Sequence, residues 1–216
     1  MTLTGRLARL GFADAARAER LLLTDLGGIG TEVTQGDPGT DPLLTALAAA
    51  ADPDLALAGL ARVFGATTDA SDLRQALRDE PDFRDRLTAV LGVSAGLADH
   101  LTRHPADYEL LRGPVGRPAP AELREQMLRA VGANPRLAEP VASQQDKEPV
   151  AALAAAYRRR LLHLAARDMT AVVTVEDVVE ELADIAAAVL EAALAVARSE
   201  LPPRRCRPVP RPRLPR

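Results

Sequence analysis

Along the first 200 residues, apolar side chains recur at three- and four-residue intervals, and acid–proline pairs mark where several of these runs begin. Asp41-Pro42, Asp52-Pro53-Asp54 and Glu80-Pro81-Asp82 each place a carboxylate ahead of a proline at the head of a helical pattern. Proline suits the first helical position because its missing N–H would have had no partner there. A carboxylate just before it can accept from the free amides and meets the positive end of the helix dipole. In the same way Asp14 opens "DAARAERLLLTDLGG", and Gly27 and Gly28 close it. The pattern predicts short helices over 2–10, 14–26, 42–50, 53–65, 70–79, 82–91, 94–104, 106–112 and 119–132. Residues 113–120 and 133–149, rich in proline, glycine and polar groups, read as loops.

Two long helices follow. The first spans Pro149 to about Asp168, with Val150, Leu153, Tyr157, Leu161 and Leu164 along one face. The second starts at Thr174, whose hydroxyl and the carboxylate of Asp177 have the spacing of a capping box. Its expected apolar stripe is Val175, Val178, Leu182, Ile185, Val189, Ala193 and Val196. Glu176, Asp177, Glu180, Glu181 and Asp184 load its first half with acid, as the dipole favours. The fold class implied is all-α: an irregular multi-helix assembly over 1–200, ending in two long antiparallel helices whose apolar faces pack together. After residue 200 the pattern stops. Six of the last sixteen residues are proline and six are arginine, so 201–216 reads as a disordered, polyproline-like basic tail.

Composition sharpens this picture. Hydrophobic residues make up 47% of the chain, but only Phe12, Phe64, Phe83, Tyr108 and Tyr157 are aromatic, so the core must be built from Leu, Val and Ala. Leu and Ala favour helices, and strand-type residues concentrate only near Ala171–Val175. One cysteine, Cys206, rules out an internal disulfide framework. With no signal-peptide pattern and no apolar run near 20 residues, a cytoplasmic location is expected. Residues 1–200 hold 21 basic and 30 acidic side chains, a net charge of −9, which argues against non-specific nucleic-acid binding.

Candidate chemistry is sparse. His100 and His104 are spaced for one helix face, but Pro105 pushes His104 out of helical geometry, and no further ligand motif accompanies them. The Asp52/Asp54 pair has the D-x-D form of a magnesium site, yet its proline fits a helix cap better. "LGGIG" at 26–30 lacks the strand before it and the helix after it that a phosphate loop requires. "AYRRRLLHLAARD" (156–168) holds the candidate binding residues: Arg160, His163 and Arg167 share a helical face and could meet phosphate or a partner's carboxylates. A solvated, charged outer face is the competing reading of that stretch. No catalytic constellation and no metal ligand set is assigned.

Four phrases in this order resemble the N-terminal region of the glutamine synthetase adenylyltransferases: "GFADAARAERLL" (11–22), "ADPDLALAGLARV" (51–63), "LGVSAGLADHLTRHPADYELL" (91–111) and "AYRRRLLHLAARD" (156–168). "TVEDVVEELADIAAAVLEAALAVA" (174–197) is similar to the helix that follows in that family, in its actinobacterial branch above all. The resemblance implies the N-terminal helical domain of an enzyme that attaches AMP to glutamine synthetase and removes it by phosphorolysis, and so regulates nitrogen assimilation. It further implies glutamine synthetase and a PII-type signal protein as partners, with ATP and Mg²⁺ as cofactors of the complete enzyme. In the family a nucleotidyltransferase sheet follows, with Gly-Gly and Ser-Asp-x-Asp elements. That combined signature does not occur here, so no catalytic residue carries over and the chain alone is expected to be inactive. "SELPP" keeps the family register while "RRCRPVPRPRLPR" does not, and a frameshift or truncation of a GC-rich gene accounts for such a tail. The alternative is a stand-alone helical interaction module that docks an acidic partner through Arg160, His163 and Arg167 or through the tail.

Overall fold

The structure is a computed structural model that describes residues 2–26, 41–113, 116–143, 148–170 and 173–201. Its helices are α1 (Leu3–Arg9), α2 (Ala15–Thr24), α3 (Asp41–Ala49), α4 (Pro53–Ala66), α5 (Ser71–Asp79), α6 (Pro81–Val93), α7 (Ala95–Arg103), α8 (Pro120–Ala130), α9 (Pro149–Met169) and α10 (Val175–Glu200). A 3-10 segment, Pro105–Leu111, lies between α7 and α8 where an α-helix was expected over 106–112. Tyr108 and Leu111 are both buried there, and a three-residue period stacks positions three apart on one side. No β-strand occurs among the described residues. The fold is all-α, as the periodicity predicts. Gly27, Gly28 and the tail beyond Leu201 lie outside the described residues.

Of the predicted caps, those at Asp14, Asp52 and Thr174 form and the one at Glu80 does not, while Asp41 is the first residue of α3 and its side chain lies outside the described ones. Asp52 accepts from the Leu55 amide at 2.9 Å, with Pro53 at the first position of α4. Asp14 accepts from the Arg17 amide at 2.9 Å, and Thr174 with Asp177 closes a complete capping box on α10. Glu80, ahead of Pro81, makes no cap hydrogen bond to α6. Its carboxylate instead receives the guanidinium of Arg112, which also reaches Asp72 at 2.9 Å. A bidentate cation satisfies the carboxylate better than a single amide does.

Two hydrophobic clusters organise the packing. The first joins α1 to α7 and the 3-10 segment around α6, with Leu57, Leu60, Phe83, Leu87 and Leu91 fully or almost fully buried. The second holds Leu123, Met127 and Leu128 of α8 against Ile185, Ala188, Ala192 and Ala195 of α10. Helix α9 belongs to both. Leu162 and Ala166 point into the first cluster, and Leu153 and Leu164 into the second. The 3.6-residue period lets one helix present apolar residues to two neighbours, so α9 cements the halves together.

The long helices lie side by side as expected, with a turn at the end of α9 meeting the second turn of α10, but their stripes are rotated from those predicted. On α9, Val150 is 67% exposed and Tyr157 is 38% exposed, although both sit on the expected apolar face. On α10 the buried positions are Glu181, Ile185, Ala188, Ala192, Ala195 and Val196, while Val175 and Leu182 face outward. Helix α10 is apolar around most of its circumference, so periodicity alone leaves its inner side undetermined. The tertiary contacts settle it, with Ala188, Ala192 and Ala195 in one cluster with Leu123, Met127 and Leu128 of α8 and Leu153 and Leu164 of α9.

Candidate functional site

The three residues singled out on α9 do converge, but on the protein interior rather than on an outer face. They lie where α9 crosses between the two clusters, facing α6 on one side and α8 and α10 on the other. Arg167 is 3% exposed, and its Nη1 donates to Oε2 of Glu181 at 2.6 Å. Glu181 itself is fully buried, in register with Ile185 and Ala188 on the inner face of α10. Sequence reasoning placed Glu181 among five dipole-favoured acids and so missed it. The available signal is its position: of those five, only Glu181 falls four residues before Ile185 and seven before Ala188.

His163 and Arg160 are half-buried one turn further up α9. Burial, reinforced by the neighbouring Arg167, Arg160 and Arg86, pushes the His163 imidazole down to about 4, so it is neutral near pH 7. Arg86 of α6 is itself buried and donates to the carbonyls of Leu111 at 3.1 Å and Gly113 at 2.8 Å. Arg160 has no ion pair among the described residues, and burial lowers its proton affinity while Glu122 and Glu181 support the charge from a distance. His163 Nδ1 and Glu181 Oε1 are buried without a hydrogen-bond partner among the described residues. Arg167 thus binds the buried Glu181 carboxylate directly and Arg160 acts on it from a distance, while His163 sits among Arg160, Arg167 and Arg86. Such an arrangement can hold a polar junction in fixed register. Arg160 keeps a guanidinium that can still accept an external carboxylate or phosphate.

The other candidates resolve into structural contacts. His100 is 1% exposed, and its Nε2 lies 2.9 Å from Oδ2 of Asp107. Burial lowers the affinity of His100 for a second proton despite that carboxylate, to which Nε2–H donates. Asp107 also pairs with Arg159 at 3.1 Å, which ties α7 and the 3-10 segment to α9. His104 stands beyond the end of α7 with its ring 4.9 Å from that of His100. In the D-x-D pair, both carboxylates are engaged by backbone: Asp52 caps α4, and Asp54 accepts from the amides of Ala13 at 2.7 Å and Asp14 at 3.2 Å. No group of three His, Cys, Asp or Glu side chains able to hold a metal occurs among the described residues. No helix among them is long and apolar enough to cross a membrane.

The described residues form an acid-capped, all-helical body whose arginine–histidine junction turns inward. The family model for glutamate-ammonia ligase adenylyltransferase matches residues 84–214, and the chain belongs to that family. The match begins within α6, takes in α7 to α10 and runs on into the proline- and arginine-rich tail. Relatives include a bifunctional glutamine synthetase adenylyltransferase/adenylyl-removing enzyme of Streptomyces coelicolor, 44% identical over 202 residues that cover 91% of this chain. Enzymes of the same description from Leifsonia xyli and Mycobacterium tuberculosis are 40% and 35% identical over 90% and 96% of the chain. The chain spans only 18 to 20% of the length of these relatives. No solved structure matches it significantly.

Proposed function

We propose that this chain serves as the N-terminal helical part of a cytoplasmic glutamine synthetase adenylyltransferase/adenylyl-removing enzyme and, through it, in the regulation of nitrogen assimilation. The observation that carries this reading is the continuous likeness to such enzymes over about nine-tenths of the chain. In the complete enzyme, glutamine synthetase is the protein substrate, a PII-type protein supplies the nitrogen signal, and ATP with Mg²⁺ supplies the adenylyl group. Metal-held phosphate oxygens are what adenylyl transfer requires, and the combined Gly-Gly and Ser-Asp-x-Asp signature that provides them in the family does not occur in this sequence. The role of 1–216 is therefore to position and regulate, with Arg160 as the residue of the α9 trio best able to meet a partner's anionic group.

Two assays test this. Pure 1–216 mixed with glutamine synthetase, ATP and Mg²⁺, or with adenylylated glutamine synthetase and phosphate, is expected to transfer and remove no AMP; detectable turnover would sink the reading of an inactive segment. Substituting this chain for the matching 202 residues of the Streptomyces coelicolor relative is expected to yield an enzyme with measurable AMP transfer and removal. A folded chimera without either activity would count against the family role.

A further inference from the structure

Helix α10 is apolar on two opposite sides, and only one of them is covered among the described residues. The covered side, Ile185, Ala188, Ala192, Ala195 and Val196, packs on α8 and α9. On the other, Val175, Val179, Leu182, Leu190 and Leu194 are 74, 59, 41, 70 and 49% exposed. Exposed Ala186, Ala193 and Ala197 fill the intervals. Steps of three and four residues align these side chains into one stripe, and at about 1.5 Å per residue it runs for about 33 Å from Val175 to Ala197. Near its start the stripe joins a groove of about 400 Å³ whose lining includes Leu97, Tyr157, Leu161, Val178 and Leu182. Single exposed leucines are ordinary, but a contiguous stripe of this length marks an interaction surface.

Resting on the family reading above, we propose that this face of α10 is an internal interface of the complete enzyme, which receives an apolar surface from the part of the adenylyltransferase outside the matched segment. The matched segment is less than a quarter of the relatives' length, so most of such an enzyme is available to cover it. The charge around the stripe opposes the simplest alternative, a second copy of this chain. Glu176, Glu180, Asp184 and Glu191 all border the same edge of α10. Antiparallel pairing of two α10 helices would set acid edge against acid edge, and like charges placed so oppose association. Glu180 and Asp184 already hold Arg117 at 2.7 and 2.6 Å, and Glu191 holds Arg124, so the acid edge is anchored to the α8 side and leaves the apolar stripe clear.

The test uses the 216-residue chain and, as probe, the portion of the Streptomyces coelicolor relative outside its 202 matched residues, expressed separately and shown by circular dichroism to be folded. Binding is measured for the wild type, for a Leu182→Asp/Leu190→Asp double variant, and for Val150→Asp, which alters an exposed residue of α9 away from the stripe. The wild type and Val150→Asp are expected to bind, and the double variant to bind roughly tenfold more weakly or worse, as expected for charges placed in an apolar contact. Because both leucines are exposed, the melting temperature of the double variant should stay close to that of the wild type. Light scattering on the chain alone reads self-association. Equal binding by the double variant, no binding by the wild type, or a dimer that the double substitution dissolves would each overturn the proposal. Glutamine synthetase takes no part in this assay, so failure here leaves the proposed function to be judged by its own AMP-transfer measurements.

Discussion

At the scale of single residues, the decisive contact is the ion pair between Arg167 and Glu181, 4% and 0% exposed at their side chains. Taking two charges out of water is expensive, and their attraction repays this only while both are present. Glu181→Leu alone strands a buried guanidinium and is expected to destabilise the chain by about 3 to 5 kcal/mol. The double variant Arg167→Met/Glu181→Leu replaces both charges with apolar groups of similar size and should recover most of that loss. Urea denaturation of the three proteins checks this, and a double variant as unstable as the single would show that the pair is not self-contained. Sequence supplied one partner and not the other. Arg167 was visible as part of a helical face with Arg160 and His163, whereas Glu181 was hidden among acids that the helix dipole explains equally well.

At the scale of elements, helix starts were legible because caps are local. Asp14, Asp52 and Thr174 each bind an amide three residues away, so the chemistry and the sequence signal occupy the same short window. Close approaches between elements are not local. A Cβ at Gly92 of α6 would stand 2.7 Å from Cβ of Ala50 and 3.3 Å from the Asp52 carbonyl, where α6 passes the α3–α4 turn. At Gly65 in the last turn of α4 the same atom would meet nothing within 4 Å. Alanine gains up to about 1 kcal/mol over glycine in a helix interior, while overpacking costs about 1 to 3 kcal/mol. Gly92→Ala should therefore lower the melting temperature and Gly65→Ala should leave it unchanged or raise it. Equal effects of the two substitutions would remove the tight α6 crossing as an explanation. Nothing in the residues around either glycine distinguishes them in sequence.

At the scale of the whole molecule, two clusters share one helix, and the polar junction on that helix makes stability depend on pH. His163 is held near 4 in the folded chain against about 6.5 when unfolded. Between those values the unfolded chain binds the extra proton and the folded chain does not, so the contribution is complete above about pH 6.5 and is lost as pH falls toward 4. His100, also shifted downward by burial, acts in the same direction. Stability of the wild type should thus decline across this window, and His163→Gln should decline less steeply. Parallel profiles for the two proteins, from urea midpoints at half-unit pH steps, would show that His163 is not the titrating group. Asp69 and Asp177, whose carboxyls are held below the usual range chiefly by hydrogen bonds, add their losses below the window.

What the sequence determined by itself was the set of helices, their starting points and the family, because capping pairs, helix propensity and ordered motifs act within a few residues of one another. Tertiary structure alone decided which side of α10 faces inward, that α9 serves both clusters, and that Arg167 turns inward to Glu181. Those outcomes depend on how closely helices far apart in sequence can approach. A helix such as α10, apolar around most of its circumference, carries no record of that choice in its own periodicity.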